Sequence, residues 1–305
     1  MPKHVLVTGS SGMIGTRLME RLRDAGIVAT GVDIKPNRWD AEIGGRTIRL
    51  DLRDTAASLA QLPTDADMVI HLAAHARVFD LIQRPELARE NVETTFTALE
   101  YARARKIPIL FASSREVYGD TSEAAHREDD VHLERSENPY TASKMSGEAF
   151  VWAYRRCYGV PSLTLRFANA YGMYDLHDRV IPLFIRRSRE GKELVVYGKG
   201  KTLDFIHIDD AVSGIMRAVE RFDVAKDNVY NIASGVGTTV LQIAELVSKA
   251  FGRSASVHIE ENRTGEVMAC VADTALARER LGFEPTIGIE EGIARTVDWY
   301  RSHDV

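Results

Sequence analysis

Short apolar segments of strand type alternate with segments of helical periodicity along most of this chain, and this alternation restricts the fold more than any other feature. The apolar segments are residues 5–8, 27–33, 47–50, 68–72, 109–112, 163–167 and 229–232. Between the first two, Ile14, Leu18 and Leu22 recur at helical spacing, and Gly26 follows as a C-terminal cap. Several of the strand segments are apolar almost throughout, as strands buried on both faces are. Because parallel neighbours need a long crossover, the pattern predicts an α/β fold with a doubly wound parallel sheet.

The first apolar segment leads directly into a glycine-rich turn that opens a helix. The turn reads Thr-Gly-Ser-Ser-Gly-Met-Ile-Gly from residue 8 and contains Gly9, Gly12 and Gly15. Glycines let the backbone turn tightly and approach a diphosphate, which the unpaired amides and the helix dipole stabilise. Asp33 ends the second strand segment 18 residues after Gly15, where a carboxylate accepts hydrogen bonds from both ribose hydroxyls. The pattern predicts a Rossmann-type dinucleotide site; a plain tight turn and a turn-capping Asp33 are the structural alternatives.

The acid at Asp33 also bears on which dinucleotide binds. A carboxylate at this point repels a 2′-phosphate, which favours NAD over NADP. Lys35 and Arg38 lie close by in the sequence and keep NADP as the alternative. We therefore expect NAD as the cofactor.

The regular alternation ends after about residue 168. Mixed loops and short helices follow. One of these helices begins with a capping box formed by Thr239 and Gln242. We expect two interleaved units. They are an NAD-binding Rossmann domain of residues 1–168 plus about 203–233, and a smaller mixed α/β substrate-binding lobe of about 169–202 plus 234–305.

Composition argues against several other classes of protein. A net charge of −5 over 305 residues gives no general reason to bind nucleic acid. No apolar run approaches the roughly 20 residues that span a bilayer, and the start of the sequence lacks a signal-peptide hydrophobic region. Cys157 and Cys270 have neither disulfide nor metal spacing, and the nine histidines form no ligand pattern, so that His71 is expected to be a hydrogen-bonded structural residue. We expect a cytoplasmic protein without a metal, a membrane or a nucleic-acid partner.

Tyr140 and Lys144 share one face of a predicted helix. Pro139 suits the first turn of this helix, and Gly159 marks its end. A free tyrosine has a pKa of about 10, so a tyrosine that acts as a base near neutrality needs a lower value. A lysine ammonium and an oxidised nicotinamide, both cationic, would favour the phenolate. On its own, such a pair is common on helix surfaces, and its meaning depends on the other motifs.

Those motifs follow one another in a characteristic order. After the glycine-rich turn and Asp33 come His71-Leu-Ala-Ala74, Ser113-Ser-Arg-Glu-Val-Tyr-Gly119 and Tyr140-x-x-x-Lys144. Over nearly its whole length the chain thereby resembles the extended short-chain dehydrogenase/reductases, the NAD-dependent nucleotide-sugar epimerase/dehydratase family of the UDP-glucose 4-epimerase type.

The resemblance implies roles for individual residues. Tyr140 would be the base, Lys144 would anchor the nicotinamide ribose, and Ser114 would hydrogen-bond the reacting oxygen. The implied cofactor contacts, besides Tyr140 and Lys144, are Gly9, Gly12, Met13, Ile14, Gly15, Asp33, Asp51, Leu52, Leu72, Ala73, Ala74 and Asn91. The implied substrate contacts are Ser114, Arg115, Asn169, Val196, Tyr197, Lys201 and Arg263. Arg263 suits the diphosphate because a guanidinium pairs with two phosphate oxygens; an exposed surface arginine is the alternative.

The second half of the chain departs from the family at one position. Relatives usually carry an arginine just before the Asp204-Phe205 pair, where this chain has Leu203. One diphosphate contact is therefore missing or moved, and Lys199 or Lys201 could replace it as a point charge. In the sugar-acid decarboxylases of the family this arginine takes part in catalysis, so Leu203 counts against decarboxylation.

The second departure is the dipeptide Arg115-Glu116. Hexose 4-epimerases of the family usually carry small or neutral residues here. Sugar 4,6-dehydratases place a glutamate at the position of Glu116 as a base for carbon 5, commonly with an aspartate in place of Arg115 as proton donor. Arginine is a poor proton donor near pH 7. A catalytic Glu116 and a purely structural salt bridge are both open.

Three functional hypotheses follow. The first is 4-epimerisation of a nucleotide-linked, UDP-type hexose or hexuronic acid, in which Tyr140 takes the 4-hydroxyl proton, NAD holds the hydride and the 4-keto sugar turns over. The second is a sugar dehydratase, 4,6- or 5,6-, with Glu116 as base. The third is a non-catalytic NAD-binding regulatory protein, against which the presence of both Tyr140 and Lys144 argues. The resemblance further implies a homodimer built from the two long helices around Val92 and Val151.

Overall fold

Strands and helices alternate along the chain in the computed structural model, which describes residues 1–121, 125–254 and 256–303. The strands are β1 (His4–Thr8), β2 (Val28–Asp33), β3 (Thr47–Arg49), β4 (Met68–His71), β5 (Ile109–Ser114), β6 (Ser162–Phe167), β7 (Asn169–Tyr171), β8 (Leu194–Tyr197), β9 (Thr202–His207), β10 (Val229–Ile232), β11 (Gly237–Thr239), β12 (Val257–Glu260) and β13 (Ala269–Cys270). The α-helices are α1 (Met13–Asp24), α2 (Ala41–Gly45), α3 (Thr55–Gln61), α4 (Val78–Gln83), α5 (Glu86–Arg105), α6 (Pro139–Tyr158), α7 (Val180–Arg189), α8 (Ile208–Glu220), α9 (Phe222–Ala225), α10 (Val240–Ala250), α11 (Ala275–Leu281) and α12 (Ile289–Ser302). Short 3-10 helices lie at Arg115–Tyr118 and Leu133–Arg135. None of these described helices is long and apolar enough to cross a membrane.

Among the described residues, seven parallel strands form the main sheet, in the order β10-β6-β5-β4-β1-β2-β3. They coincide with the seven strand segments that the sequence predicts. β4, β5 and β6 are buried along their whole length because helices cover both faces of the sheet. The strand order reverses between β1 and β4, and such a switch point leaves a crevice at the carboxyl ends of the strands. The predicted fold class, an α/β doubly wound parallel sheet, is confirmed.

Side chains of the main sheet alternate between two hydrophobic cores. In β1, Val5 and Val7 belong to the first core, whereas Leu6 between them belongs to the second. Helices α1, α8 and α11 cover the first core, and α5 and α6 cover the second. The period of two along each strand thus joins the helices of both faces to one sheet.

A smaller region of mixed structure faces the carboxyl ends of these strands. Its four-stranded sheet is centred on β9, which pairs with β7 and β13 in parallel and with β11 antiparallel. β8 and β12 form a separate parallel pair. Helices α7, α10 and α12 pack here around a third core, and α10 begins with the predicted capping box of Thr239 and Gln242.

The chain passes between the two regions more than once. Within the range 203–233, which is predicted for the NAD-binding domain, α8 and β10 lie on the main sheet, whereas β9 pairs with the smaller sheet. α11 falls in the range predicted for the smaller lobe, but it packs against β10 and α8 because Ala277 and Leu281 are buried in the first core. The domain division remains a prediction, and β9 and α11 are the elements that depart from it.

Candidate active site

A cleft of about 410 Å³ opens where the carboxyl ends of the main strands face the smaller region. Its walls combine the glycine-rich turn, the segment after β4, the end of β5 and one face of α6 with residues of β7, α7 and β8. The predicted site residues that line it are Gly9, Gly12, Met13, Ile14, Gly15, Leu72, Ala74, Ser114, Arg115, Glu116, Tyr140, Lys144, Asn169, Tyr197, Lys201 and Arg263. One cleft therefore brings together residues that the sequence assigns to cofactor, catalysis and substrate.

The glycine-rich turn leaves no room for side chains at two positions. A Cβ on Gly15 would lie 2.0 Å from the carbonyl oxygen of Gly9, and a Cβ on Gly9 would lie 2.8 Å from the backbone nitrogen of Ala73. Gly9 also has a φ of 73°, which favours glycine. Gly12 is the N-cap of α1 and provides no side-chain cap, so the first amides of the helix are free to bind an anion. The turn therefore fits the diphosphate of a dinucleotide.

Asp33 ends β2 next to this turn. Its carboxylate accepts hydrogen bonds from the backbone amides of Ser11, at 3.0 Å, and Lys35, at 2.8 Å. The guanidinium of Arg38 lies over the ring of Trp39, 5.3 Å from its centre. Asp33 therefore caps the turn, as the structural alternative expects, and it also places a negative charge beside the position for an adenosine ribose, which fits NAD.

α6 carries Tyr140 and Lys144 into the cleft. The side chain of Asn138 caps the first turn, Pro139 is the first helical residue, and Gly159 ends the helix with a φ of 67°. These are the boundaries that the sequence predicts. Tyr140 and Lys144 consequently lie one turn apart on the helix face that meets β5.

Ser114, at the end of β5, lies opposite these two residues. Its side chain is close enough to that of Tyr140 to act on the Tyr140 pKa, which it lowers. Lys144 Nζ donates a hydrogen bond of 2.8 Å to the carbonyl of Ala112 and lies 5.8 Å from the centre of the Tyr140 ring. The three side chains therefore converge on one small part of the cleft wall.

Burial has the largest effect on how the two helix residues titrate. It raises the pKa of Tyr140, although Ser114 and the charge of Arg179 act in the opposite direction. It lowers the pKa of Lys144 to about 8, against the effect of Glu148. Without ligands Tyr140 is thus a neutral phenol at pH 7. Its action as a base depends on positive charge that is brought close to its oxygen.

His71 is a hydrogen-bonded structural histidine, as expected. It is buried at the end of β4, with Nδ1 2.8 Å from Thr8 Oγ1 and Nε2 3.2 Å from Thr95 Oγ1. Burial and the charge of Lys144 lower its pKa to about 3, so it adds no charge to the cleft at pH 7. In the part of the chain that the structure describes, no cluster of His, Cys, Asp and Glu side chains is arranged to hold a metal ion.

Arg115 and Glu116 form a buried ion pair in the cleft wall. Arg115 Nη2 lies 2.7 Å from Glu116 Oε1 and donates a weaker hydrogen bond of 3.3 Å to Asn169 Oδ1. Burial has the largest single effect and acts to lower the pKa of Arg115, but Glu116, Cys270 and Tyr140 together raise it above its usual value. Arg115 Nη1 and Glu116 Oε2 are buried without a hydrogen-bond partner among the described residues.

The outer end of the cleft carries Tyr197, Lys201 and Arg263. Lys201 Nζ bonds Glu266 Oε2 at 2.7 Å and Asn262 Oδ1 at 2.9 Å, so its charge is already compensated. The guanidinium of Arg263 lies 3.8 Å from the centre of the Tyr197 ring and 3.9 Å from Glu266 Oε1. Arg263, rather than Lys201, is therefore the cation that can bind an anionic group here.

Val196 differs from the predicted substrate contact. Its side chain is buried in the third core, because the alternation along β8 turns Val195 and Tyr197 toward the cleft instead. The valine of β8 that faces the cleft therefore lies one position before the predicted one.

Several predicted cofactor residues stand beside the cleft rather than in its walls. These are Asp33, Asp51, Leu52, Ala73 and Asn91. Asn91 binds the backbone of His75 through hydrogen bonds of 2.7 and 3.0 Å, and Asp51 forms an ion pair of 2.5 Å with Arg53. Asn91 and Asp51 therefore brace the segments that follow β4 and β3.

Sequence reasoning missed a group of charged and aromatic residues that line the cleft at the start of α4 and in the loop before α7. They are Arg77, Phe79, Asp175, His177, Asp178 and Arg179. Arg179 Nη1 lies 3.9 Å from Asp175 Oδ2, and the hydroxyl of Tyr300 on α12 donates to the Asp175 carbonyl. The high density of charge in residues 173–179 was the only signal available, because loops show no periodicity.

The fold and the cleft define a dinucleotide-binding α/β protein whose site contains the Ser, Tyr and Lys of a short-chain dehydrogenase/reductase. The model of the NAD dependent epimerase/dehydratase family matches residues 5–233. The chain belongs to this family, and NAD is the cofactor of the family. The family, fold and cofactor predictions are thereby confirmed.

Relatives with different reactions resemble this chain equally well. A dTDP-glucose 4,6-dehydratase of Streptomyces griseus is 30% identical over 99% of this chain and 95% of its own. The UDP-glucose 4-epimerase of Thermotoga maritima, solved with UDP-glucose, is 27% identical with a TM-score of 0.90 and covers 98% of this chain and 99% of its own. A mutant UDP-glucuronic acid 4-epimerase of Bacillus cereus, solved with a UDP-fluoroglucuronic acid and NAD, is 28% identical with a TM-score of 0.90 and the same coverage. The comparisons therefore establish nucleotide-sugar chemistry for the family, with either epimerisation or dehydration as the reaction.

Proposed function

We propose that this protein is an NAD-dependent 4-epimerase of a nucleotide-linked hexose or hexuronic acid, which acts through a transient 4-keto sugar. The observation that carries the proposal is the buried ion pair of Arg115 and Glu116, 2.7 Å apart, next to Ser114 and Tyr140. Ser114, Tyr140 and Lys144 supply what the oxidation of a hydroxyl needs. The ion pair engages the carboxylate that an elimination of water would need as a base.

The chain's own residues have distinct tasks in this reaction. Ser114 holds the 4-oxygen of the sugar, and Tyr140 accepts its proton as a phenolate. The ammonium of Lys144, 5.8 Å from the Tyr140 ring, stabilises that phenolate. The glycine-rich turn and Asp33 would hold NAD, which would supply a reversible acceptor for the hydride of carbon 4. After the keto sugar has turned over, Tyr140 returns the proton to the same oxygen, and no net oxidation results.

The nucleotide diphosphate would lie at the outer end of the cleft. Arg263 stacks on Tyr197 and keeps its guanidinium edge available for two phosphate oxygens. Because the Thermotoga maritima relative was solved with UDP-glucose, we propose a UDP-linked sugar.

Dehydration is the second candidate, and one observation favours it. Glu116 Oε2 has no hydrogen-bond partner among the described residues and lies in the cleft wall, where it could take a proton from carbon 5. Arg115, however, is no proton donor for a departing hydroxide near pH 7.

Product analysis separates the two reactions. The purified protein is incubated with UDP-glucose, UDP-N-acetylglucosamine, UDP-glucuronate and dTDP-glucose, and each product is followed by mass spectrometry and proton NMR. The expected result is a product of unchanged mass whose proton NMR spectrum shows a sugar with an axial 4-hydroxyl. Loss of water from any of the sugars would establish the dehydratase instead. If none of the sugars reacts and a Tyr140→Phe variant keeps its role in the cell, the protein is a non-catalytic NAD-binding regulator.

We also propose a homodimer formed through α5 and α6. Aromatic side chains are exposed on this helix pair: Phe96 is 39% and Phe150 is 36% exposed, and their rings lie 6.4 Å apart in an edge-to-face arrangement. Tyr158, at the end of α6, is 57% exposed. An apolar face of this kind is typical of a surface that a second subunit covers. Sedimentation equilibrium should give twice the chain mass at micromolar concentration, and Phe96→Glu should shift it to the monomer.

A further inference from the structure

The ion pair in the cleft leaves one donor and one acceptor unused. Arg115 and Glu116 are 7% and 6% exposed, and both line the cleft. Nη2 of Arg115 and Oε1 of Glu116 bind each other at 2.7 Å, whereas Arg115 Nη1 and Glu116 Oε2 have no hydrogen-bond partner among the described residues. Buried polar atoms without a partner are rare and costly, so a ligand that supplies both partners would bind with advantage.

The position of the pair is fixed relative to the reacting atoms. Ser114 Oγ accepts a hydrogen bond of 3.2 Å from the backbone amide of Glu116, and Asn169 Oδ1 accepts one of 3.3 Å from Arg115. Since Ser114 holds the 4-oxygen in the proposed reaction, the pair lies next to the substituents of the neighbouring carbon atoms. The group attached to carbon 5 differs between the two classes of sugar: it carries a hydroxyl at carbon 6 in a hexose and a carboxylate in a hexuronic acid.

We propose that Arg115 and Glu116 select a nucleotide hexose, whose carbon-6 hydroxyl is neutral, over the corresponding hexuronic acid; this inference rests on the proposed function. A hydroxyl accepts a hydrogen bond from Arg115 Nη1 and donates one to Glu116 Oε2 at the same time. An ionised carboxylate is an acceptor only, so it satisfies Arg115 but leaves Glu116 Oε2 unpaired and brings a like charge beside it. The two opposite charges of the pair also cancel. The pair therefore lacks the general attraction that a lone arginine would exert on a carboxylate.

Binding constants test the selection directly, because they do not depend on which reaction the protein catalyses. Dissociation constants for UDP, UDP-glucose, UDP-glucuronate and UDP-xylose are measured by calorimetry with NAD at saturation. The Tyr140→Phe background prevents turnover during the titration. UDP-glucose should bind at least about tenfold more tightly than UDP-glucuronate, which corresponds to about 1.4 kcal/mol. UDP-xylose lacks carbon 6 and should also bind more weakly than UDP-glucose.

Two variants should change the selectivity in opposite directions. Glu116→Gln removes the negative charge and leaves Arg115 uncompensated, so the ratio of the two constants should shift about tenfold toward UDP-glucuronate. Arg115→Met leaves Glu116 unpaired, so the ratio should shift further toward UDP-glucose. The affinity for UDP should stay the same in both. Arg278→Met removes an arginine of an exposed ion pair on α11, with Glu284 at 3.1 Å, and should leave all constants unchanged.

The outcomes distinguish this inference from the proposed function. If UDP-glucuronate binds as tightly as UDP-glucose, or if both variants shift the ratio in the same direction, the selection by the ion pair is wrong. Tighter binding of UDP-glucuronate would assign the carboxylate to another cation such as Arg179. A failure of the proposed function would appear separately, as an absence of carbon-4 inversion in the protein with an intact Tyr140, whatever the binding ratio.

Discussion

Arg166 and Glu148 form a bidentate ion pair behind the catalytic wall of the cleft. Arg166 Nη2 lies 2.7 Å from Glu148 Oε2, and Arg166 Nε lies 2.9 Å from Oε1. Ser113 also donates to Glu148 Oε1, at 2.5 Å, so the pair joins β5, β6 and α6. Glu148 lies one helical turn after Lys144 and fixes the depth at which α6 meets the sheet.

Removal of one partner should therefore destabilise the fold strongly. We expect Glu148→Ala to lower the free energy of unfolding by about 3–5 kcal/mol, because it leaves the buried guanidinium of Arg166 uncompensated. The loss is measured from the urea midpoint monitored by circular dichroism. The matched change Glu284→Ala breaks the exposed ion pair with Arg278 and should cost less than about 1 kcal/mol. Equal losses in the two variants would show that the buried pair is not structural.

The glycine-rich turn should reject a single methyl group. Gly15→Ala places a Cβ 2.0 Å from the Gly9 carbonyl oxygen. The turn must then move, and we expect NAD to bind more than about tenfold more weakly by fluorescence titration. Gly45→Ala is the control, since its Cβ meets nothing within 4 Å at the end of α2; it should leave the NAD affinity unchanged. NAD binding at normal strength in Gly15→Ala would contradict the assignment of this turn to the diphosphate.

Tyr140→Phe should separate binding from chemistry. The variant keeps the ring that packs beside Lys144 and loses only the hydroxyl, which lies close to Ser114. We expect kcat to fall by about 10²–10⁴-fold, the usual contribution of a general base, with little change in the affinity for NAD or UDP. A variant that retains more than half of the original kcat would remove Tyr140 from the reaction.

Deprotonation of Lys144 should lower the activity at alkaline pH. Burial lowers its pKa to about 8, so the side chain is an ammonium below about pH 8 and becomes neutral above it. Only the ammonium stabilises the Tyr140 phenolate, so kcat/KM should decline as the pH rises through about 8. Lys144→Arg carries a charge that does not titrate in this range; whatever activity it keeps should lack this decline. A decline of the same shape in Lys144→Arg would assign the titration to another group.

The sequence was sufficient to predict the features that local signals control. The seven strands of the main sheet were visible because strands buried on both faces are apolar throughout. The boundaries of α6 were visible because Pro139 and Gly159 act through their own backbone preferences. The glycine-rich turn is of the same kind, since its steric demand lies within a few neighbouring residues.

Features that long-range contacts determine were not predictable in the same way. β8 is short, and only its pairing with β12 and its packing on α7 and α10 decide that Val195, rather than Val196, faces the cleft. The pairing of Arg115 with Glu116 depends on their side-chain χ angles, which the identity of two adjacent residues does not determine. The cleft face of the loop around Asp175 depends on Tyr300, which is remote in sequence.

The hydrogen bond from Tyr300 to the Asp175 carbonyl has a consequence for biosynthesis. The last strand of the main sheet ends at Ile232, so a chain that emerges from the ribosome can complete this sheet and its glycine-rich turn while α12 is still unmade. The cleft loop around Asp175 already contacts α1 through the hydrogen bond from Tyr174 to Glu20, and Tyr300 adds its own hydrogen bond only when α12 has been made. A nascent chain should therefore acquire its dinucleotide site first and its sugar site last, and cofactor could already be in place when the substrate cleft forms.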